Sequence, residues 1–241
     1  MSSGHIVKSY DEELESVRNT IVEMGGLAES QLEAAVRALT ERNTELALKT
    51  IEGDKVVDEL EHSVDNMAIR MLALRSPVAD DLRLVISALK IASVLERVAD
   101  YAANIAKRVV ALNQGPTIAA TSTIPRMGAM VRRMIDDVLT AYSNGDAELA
   151  HDVWVRDQEV DQLYNSMFRE LLTFMMEDPR SITSCTHLIF MAKNIERMGD
   201  HMTNIAEIII YQVNGEMPRE PRPKGDKTSV TMIENDGSES T

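Results

Sequence analysis

The chain has 241 residues, of which 44% are hydrophobic and only 4% aromatic, and it contains 15 methionines. This composition favours a helical protein whose core is filled by aliphatic side chains. The formal net charge of −14 disfavours binding to nucleic acid or to an anionic membrane surface. The single cysteine excludes an intrachain disulfide, and neither a signal-peptide core nor a membrane-spanning apolar run is evident. We therefore expect a soluble protein of a reducing compartment, without direct membrane insertion.

Prolines and turn-forming residues divide the chain into six predicted helices. Asn43–Thr44 predicts a turn between the first two helices, and Ser76–Pro77 predicts the capped first turn of the third. The stretch between Pro116 and Pro125 predicts a linker. The same order then returns, with turn residues at 143–146 and a capped helix start at Asp178–Pro179. The second half of the chain therefore repeats the organisation of the first.

An internal sequence repeat connects the two halves. The segment ERVADYAANIAKR, residues 96–108, returns as ERMGDHMTNIAEI from Glu196, at an offset of 100 residues. Earlier, ELALKTIEGDKVVDEL (45–60) returns as ELAHDVWVRDQEVDQL (148–163), at an offset of 103 residues. The difference of three residues falls in the connection before the last helix, where a loop tolerates a change of length.

The repeat predicts an all-α fold of two tandem three-helix bundles. The predicted boundaries are 1–115 for the first bundle, 116–125 for a linker, 126–214 for the second bundle and 215–241 for a tail. The tail is polar and contains Pro218, Pro221 and Pro223, a composition that predicts disorder.

Repeated carboxylates are the main candidate functional feature. At 100° per residue, Glu96 and Asp100 lie beside the apolar stripe of their helix, and Asp54 and Asp58 do the same on the preceding helix. Like charges four residues apart repel, and such a pair is more often a solvated acidic face than a site. Their recurrence in both halves favours a bound cation. Oxygen ligands suit magnesium, manganese or ferric iron, with zinc as a further candidate cofactor. The predicted metal ligands are Asp54, Asp58, Glu96, Asp100, Asp157, Asp161, Glu196 and Asp200.

Two Glu-x-x-His pairs, Glu59/His62 and Glu148/His151, raise the alternative of a carboxylate-bridged, metal-dependent helical oxidase or hydrolase. The repeat argues against it, because the positions equivalent to the first pair hold Gln and Asn in the second half. The chain also lacks a Walker-type glycine loop, a nucleophile elbow and a His-Glu-x-x-His motif. We therefore expect no enzyme.

The segment RSPVADDLRLVISALKIASVLERVADYAANIAKR (75–108) closely resembles the third helix of the PhoU family, bacterial accessory regulators of phosphate uptake and signalling. The segment ERMGDHMTNIAE is similar to the second repeat of that family, and the resemblance extends over residues 5–214. It implies two tandem three-helix bundles that form a cytoplasmic homodimer. It also implies negative regulation of the phosphate-starvation response, through association with a phosphate ABC transporter (its ATPase subunit) and a sensor histidine kinase.

The resemblance further implies multinuclear metal sites on the bundle surfaces, at the same eight carboxylates. One departure from the family pattern is Ala99, where the family often has the glycine that this chain keeps at Gly199. A close backbone approach at this position is therefore not implied for the first bundle.

Overall fold

The computed structural model describes residues 3–115 and 122–218 of the chain. The helices are α1 (Ser3–Thr40), α2 (Thr44–Arg75), α3 (Asp80–Leu112), α4 (Thr123–Asn144), α5 (Ala147–Glu177) and α6 (Ile182–Asn214). A short 3-10 turn, Pro179–Ser181, precedes α6, and the described ranges contain no strand. Helices α1, α2 and α3 pack against one another, and α4, α5 and α6 do the same. The predicted all-α fold of two tandem three-helix bundles is confirmed.

The second helix of each bundle begins with one polar capping side chain, at equivalent positions of the repeat. The Asn43 side chain accepts a hydrogen bond from the backbone N–H of Leu46, 3.0 Å away. The Asp146 side chain likewise accepts from the N–H groups of Glu148 and Leu149. Each side chain thereby satisfies N–H groups that have no partner within the helix, which stabilises the helix start. Both predicted turns are confirmed.

The start of α3 differs from the prediction. Ser76 adopts a left-handed conformation, with φ of 48°, and ends α2 instead of capping α3. A proline disfavours helical conformation in the residue before it, so α2 ends before Pro77. Ala79 also has a positive φ, of 49°, and α3 therefore begins only at Asp80. At the equivalent place in the second bundle, the Asp178 side chain accepts from the N–H of Arg180 as predicted.

The boundaries of the linker and tail are adjusted by the helix ends. Helix α4 begins at Thr123, so residues 123–125 of the predicted linker belong to its first turn, where Pro125 removes no helical hydrogen bond. Residues 116–121 lie outside the described ranges. Helix α6 ends at Asn214, and Gly215 takes the left-handed conformation with φ of 74°. The predicted tail beyond Pro218 also lies outside the described residues.

The core follows the apolar stripes that the sequence indicates. On α3 the side chains of Ile91, Leu95, Val98 and Ala102 are all fully buried. Their spacing of three and four residues keeps them on one face of the helix, which packs against α1 and α2. The carboxylates considered below lie at the edge of this face, so the packing of the core fixes their position.

Helices α1 and α4 join the two bundles through a symmetric contact. A Cβ atom at Gly25 would collide with the side chain of Leu139, and one at Gly128 would lie 2.9 Å from Val36. Gly128 lies 103 residues after Gly25, and Leu139 lies 103 residues after Val36, which is the offset of the repeat. The contact of Gly25 with Leu139 is therefore the repeat equivalent of the contact of Gly128 with Val36, and the two helices cross in antiparallel directions. Such paired equivalent contacts are typical of an isologous interface. The two bundles are related by an approximate two-fold axis.

Helices α3 and α6 form the second contact between the bundles, on the same axis. The rings of Tyr101 and His201 stack with centroids 5.5 Å apart, and these residues occupy equivalent positions of the repeat. Farther along the helices, the guanidinium group of Arg108 lies 4.3 Å from the ring centroid of Phe190. Position numbers rise on α3 as they fall on α6, so these two helices cross in antiparallel directions.

Candidate functional site

Four carboxylates of the first bundle form the first acidic cluster: Asp54 and Asp58 on α2, and Glu96 and Asp100 on α3. All four side chains are partly buried. Burial raises the pKa of Asp54, and the charges of Asp100 and Asp58 raise it further. Two helices thus hold like charges within electrostatic reach of each other, as the helical spacing predicted.

Glu96 lies at the centre of this repulsion. Burial raises its pKa, and the charges of Glu61 and of the other three cluster members each raise it further. Glu61 is not among the eight predicted ligands. Its contribution to the pKa of Glu96 makes it a fifth acidic group beside the first acidic cluster.

The negative charge of the first acidic cluster is poorly neutralised by nearby side chains. Within the described ranges, none of its four carboxylates forms an ion pair with a Lys, Arg or His side chain. Oδ1 of Asp54 is buried and accepts no hydrogen bond. Lys107 lowers the pKa of Asp54, and its Nζ donates a hydrogen bond to Oδ1 of Asn104, 3.3 Å away. An uncompensated buried carboxylate oxygen is costly, and a bound cation would offset that cost.

Four carboxylates of the second bundle form the second acidic cluster: Asp157 and Asp161 on α5, and Glu196 and Asp200 on α6. Three of these residues are almost completely buried, with exposures of 1% for Asp157 and 2% for both Asp161 and Glu196. The repeat therefore places equivalent residues in the two bundles, but at different depths.

Gly199 explains part of this difference in depth. A Cβ atom at Gly199 would lie 2.5 Å from Oδ1 of Asp157, so the Asp157 carboxylate rests against the backbone of α6. The equivalent residue of α3, Ala99, is fully buried and carries a Cβ atom there. Asp54, the counterpart of Asp157, is only partly buried. The close approach that was not implied for the first bundle is thus present in the second.

An ammonium group lies inside the second bundle's acidic region. Nζ of Lys193 is 2.8 Å from Oε2 of Glu196, whose side chain is only 3% exposed. Burial raises the pKa of Glu196 to about 7, although Lys193 acts to lower it. Lys193 also lies over the ring of Tyr164, 5.0 Å from its centroid. Sequence reasoning missed Lys193, although a comparison of positions 93 and 193 across the repeat would have revealed the substitution.

The two clusters differ in how well they fit a metal ion. Throughout the part of the chain that the structure describes, no three Asp, Glu, His or Cys side chains converge closely enough to coordinate one ion. The first acidic cluster supplies oxygen donors only, with one buried oxygen lacking a donor. In the second acidic cluster a lysine already contacts one of the carboxylates. Both clusters therefore supply carboxylate oxygens suited to a hard cation, and the second differs in that a lysine already contacts one of them.

The Glu-x-x-His pairs lie on solvent-exposed surfaces. Glu59, His62, Glu148 and His151 are all exposed. Glu148 and His151 border an open cavity of about 600 Å³ where α5 starts beside the end of α6. The bundle core, where helical di-iron oxidases place such pairs, is filled here by apolar side chains. The geometry therefore gives no support to the oxidase alternative.

These features define a class of protein: a two-bundle helical repeat protein with an approximate internal two-fold axis and a carboxylate cluster in each bundle. The family model described as the PhoU domain matches residues 21–109 and 124–209, one match for each bundle. The chain belongs to the PhoU family.

Relatives and solved structures of this family align along nearly their whole length. The chain is 49% identical to a phosphate-specific transport system accessory protein PhoU homolog of Caulobacter vibrioides, covering 93% of this chain and 98% of that one. It is 50% identical to the homolog of Zymomonas mobilis, covering 92% and 94%. The crystal structure of PhoU from Pseudomonas aeruginosa matches with a TM-score of 0.83 and 39% identity, over 86% of this chain and 100% of that one. The phosphate transport system regulatory protein PhoU from Streptococcus pneumoniae matches with a TM-score of 0.81 and 29% identity, over 87% and 99%.

None of the helices in the described ranges is both long enough and apolar enough to cross a membrane. The two relatives carry the name of a phosphate-specific transport system accessory protein, and one of the two solved structures carries that of a phosphate transport system regulatory protein.

Proposed function

We propose that this protein is a negative regulator of phosphate uptake and of the phosphate-starvation response. The similarity to phosphate-transport accessory proteins over more than 90% of the chain carries this proposal. The protein acts as a cytoplasmic homodimeric adaptor that contacts the ATPase subunit of a phosphate ABC transporter and a sensor histidine kinase. Its net charge of −14 favours protein partners over DNA.

Exposed apolar side chains at one end of the first bundle support a protein partner. Ile69, Leu74 and Val78, where α2 leads into α3, are 61%, 67% and 75% exposed. Exposed apolar side chains of this size are candidates for contact with a partner protein. We assign this end of the first bundle to the transporter's ATPase subunit.

The test is a pull-down from phosphate-replete and phosphate-starved cells, with the tagged protein as bait. We expect the wild type to recover the ATPase subunit and the Ile69→Asp/Leu74→Asp variant to lose it. The matched control is Leu48→Asp/Val56→Asp, which introduces the same charges at exposed positions of the same helix. Recovery of neither the transporter nor a sensor kinase by the wild type would contradict the proposed function. Equal recovery by both variants would contradict the assigned surface.

We also propose that the first acidic cluster binds a hard cation, magnesium, manganese or iron, through Asp54, Asp58, Glu96 and Asp100. The uncompensated repulsion at Asp54 and Glu96 supports it. A bound ion would supply the positive charge that these oxygens lack, after small side-chain rotations that bring them onto one centre. At the second acidic cluster, Lys193 already occupies part of that role. The metal proposal is therefore limited to the first bundle.

The test of the metal proposal is thermal unfolding of Asp54→Asn/Asp58→Asn, first in chelator and then with added Mn²⁺ or iron. We expect the metal-free variant to melt no lower than the wild type, because the exchange removes repelling charges. A cation at one hundred times its Kd adds about 2.7 kcal/mol to the stability of the wild type, and we expect the variant to lose that gain.

The matched control for this experiment is Glu52→Gln/Glu59→Gln, which removes two exposed carboxylates from the same helix. We expect it to respond to metal as the wild type does. Identical metal-induced shifts in the wild type and in Asp54→Asn/Asp58→Asn would place the ions elsewhere. A sharp loss of stability in the metal-free variant would make the two aspartates structural.

A further inference from the structure

The second bundle has a cation in direct contact with one of its acidic-cluster carboxylates, whereas in the first bundle no described Lys, Arg or His side chain pairs with a cluster carboxylate. The ammonium group of Lys193 lies 2.8 Å from Oε2 of Glu196, with 26% of the lysine side chain exposed and 3% of the glutamate. The same ammonium group lies over the face of Tyr164. Both contacts stabilise a positive charge at this position, the first by direct charge pairing and the second by the ring quadrupole.

Comparison along the repeat shows how the first bundle differs. The residue equivalent to Lys193 is Ser93, and the residue equivalent to Tyr164 is Glu61. At these two positions the second bundle gains one positive charge and loses one negative charge, and both differences lower the need of the second acidic cluster for an external cation. At the position of Lys107 the second bundle instead carries Glu207, which accepts a hydrogen bond from Trp154 and acts in the opposite direction.

We propose that Lys193 is the built-in counter-ion of the second acidic cluster, so that a tethered ammonium group takes the place that a metal ion takes in the first bundle. The half of this statement that concerns the first bundle rests on the proposed function. The half that concerns Lys193 rests on the observed ion pair. The protein then has one metal-binding bundle and one bundle with permanent internal compensation.

Physical arguments favour the lysine over a metal ion at this place. The lysine is attached to α6 three residues before Glu196, so pairing with it costs no translational freedom. A divalent ion that entered the cluster would have to displace the ammonium group or tolerate its repulsion at short range.

The first experiment tests Lys193 without any metal. In chelator at pH 8, we expect Lys193→Ser to lower Tm by about 4 °C or more, because Glu196 loses its partner in a buried setting. Addition of Glu196→Gln to this variant should recover most of the loss. Lys90→Ser, which removes one exposed lysine from α3, is the matched control and should leave Tm nearly unchanged. A Tm for Lys193→Ser equal to that of Lys90→Ser would overturn the proposal.

The second experiment exchanges the residue types at positions 93 and 193 and measures Mn²⁺ binding by calorimetric titration. We expect binding in one bundle of the wild type and in both bundles of Lys193→Ser, which carries the residue of the first bundle. The reciprocal Ser93→Lys change sits at an exposed position with the same spacing to Glu96, and it should weaken the remaining binding by about tenfold or more. Binding in both bundles of the wild type would overturn the proposal. A wild type that binds no Mn²⁺ would refute the metal part of the proposed function, and the Tm of Lys193→Ser would still decide the role of Lys193.

Discussion

The stability of the metal-free protein should fall as the pH rises from 5 to 8, and Glu196 should be the largest single cause. Its pKa is raised from 4.5 to about 7 by burial, with the charges of Asp200 and Asp161 adding to the effect. Between these two values the unfolded chain has already released the proton that the folded chain still holds. The folded state binds more protons there, so its stability decreases as protons become scarce.

The magnitude follows from the size of the shift. A separation of about 2.5 pH units, at about 1.36 kcal/mol per unit, corresponds to roughly 3 kcal/mol. The stabilisation relative to high pH is fully present below the unfolded pKa of 4.5 and is lost by the time the pH passes about 7. Raised pKa values at Asp54 and Glu96 act in the same direction and add to the total.

The assay is thermal unfolding in chelator at pH 5 and pH 8, for the wild type and for Glu196→Gln. The variant has no proton to release at this position, so we expect its Tm difference between the two pH values to be smaller by roughly 6–12 °C. Glu170→Gln removes an exposed carboxylate from α5 and serves as the control, with the pH response of the wild type. An unchanged pH response in Glu196→Gln would refute the reasoning, because it would mean that Glu196 is ionised in the folded protein at pH 5.

Two further predictions concern packing. Gly199→Ala should lower the free energy of unfolding by roughly 1 kcal/mol, because displacement of the Asp157 carboxylate costs more than the gain in helix propensity. Gly26→Ala has open space around its Cβ and should raise the free energy of unfolding by up to about 1 kcal/mol. Urea unfolding of both variants checks the opposite signs. Leu95→Ala, at a fully buried position, should cost roughly 2–5 kcal/mol in the same measurement, against less than about 1 kcal/mol for Leu48→Ala, which is half exposed.

The sequence was sufficient for the helices and for the position of the repeated carboxylates beside the apolar stripes, because these depend on local periodicity. The 100° step that separates Glu96 and Asp100 from the apolar stripe is a property of any α-helix, and the structure places both residues at the edge of that stripe. The turns at Asn43 and Asp146 were predictable for the same reason, since a capping side chain acts on N–H groups only two or three residues away.

Other features depend on contacts that no local pattern contains. The repeat indicates two similar bundles but not how they pack, so the stacking of Tyr101 on His201 required the structure. The start of α3 was missed because the positive φ of Ala79 is set by the path of the chain and not by a preference of alanine. The repeated carboxylates also predicted the same kind of metal site in both bundles, because that prediction did not include the residues around them.

Three differences around the carboxylates act in one direction, and Glu207 at the position of Lys107 acts in the other. Gly199 admits Asp157 to the backbone of α6, whereas Ala99 carries a Cβ atom at the equivalent place. Lys193 and Tyr164 then supply a cation and remove an acid where the carboxylates are most deeply buried. Deep burial of three carboxylates without that cation would be costly, and partial exposure of the first acidic cluster avoids the same cost by keeping contact with water. A duplicated bundle can therefore keep the same acidic residues twice, with one copy compensated from within and the other left accessible to an ion from solution.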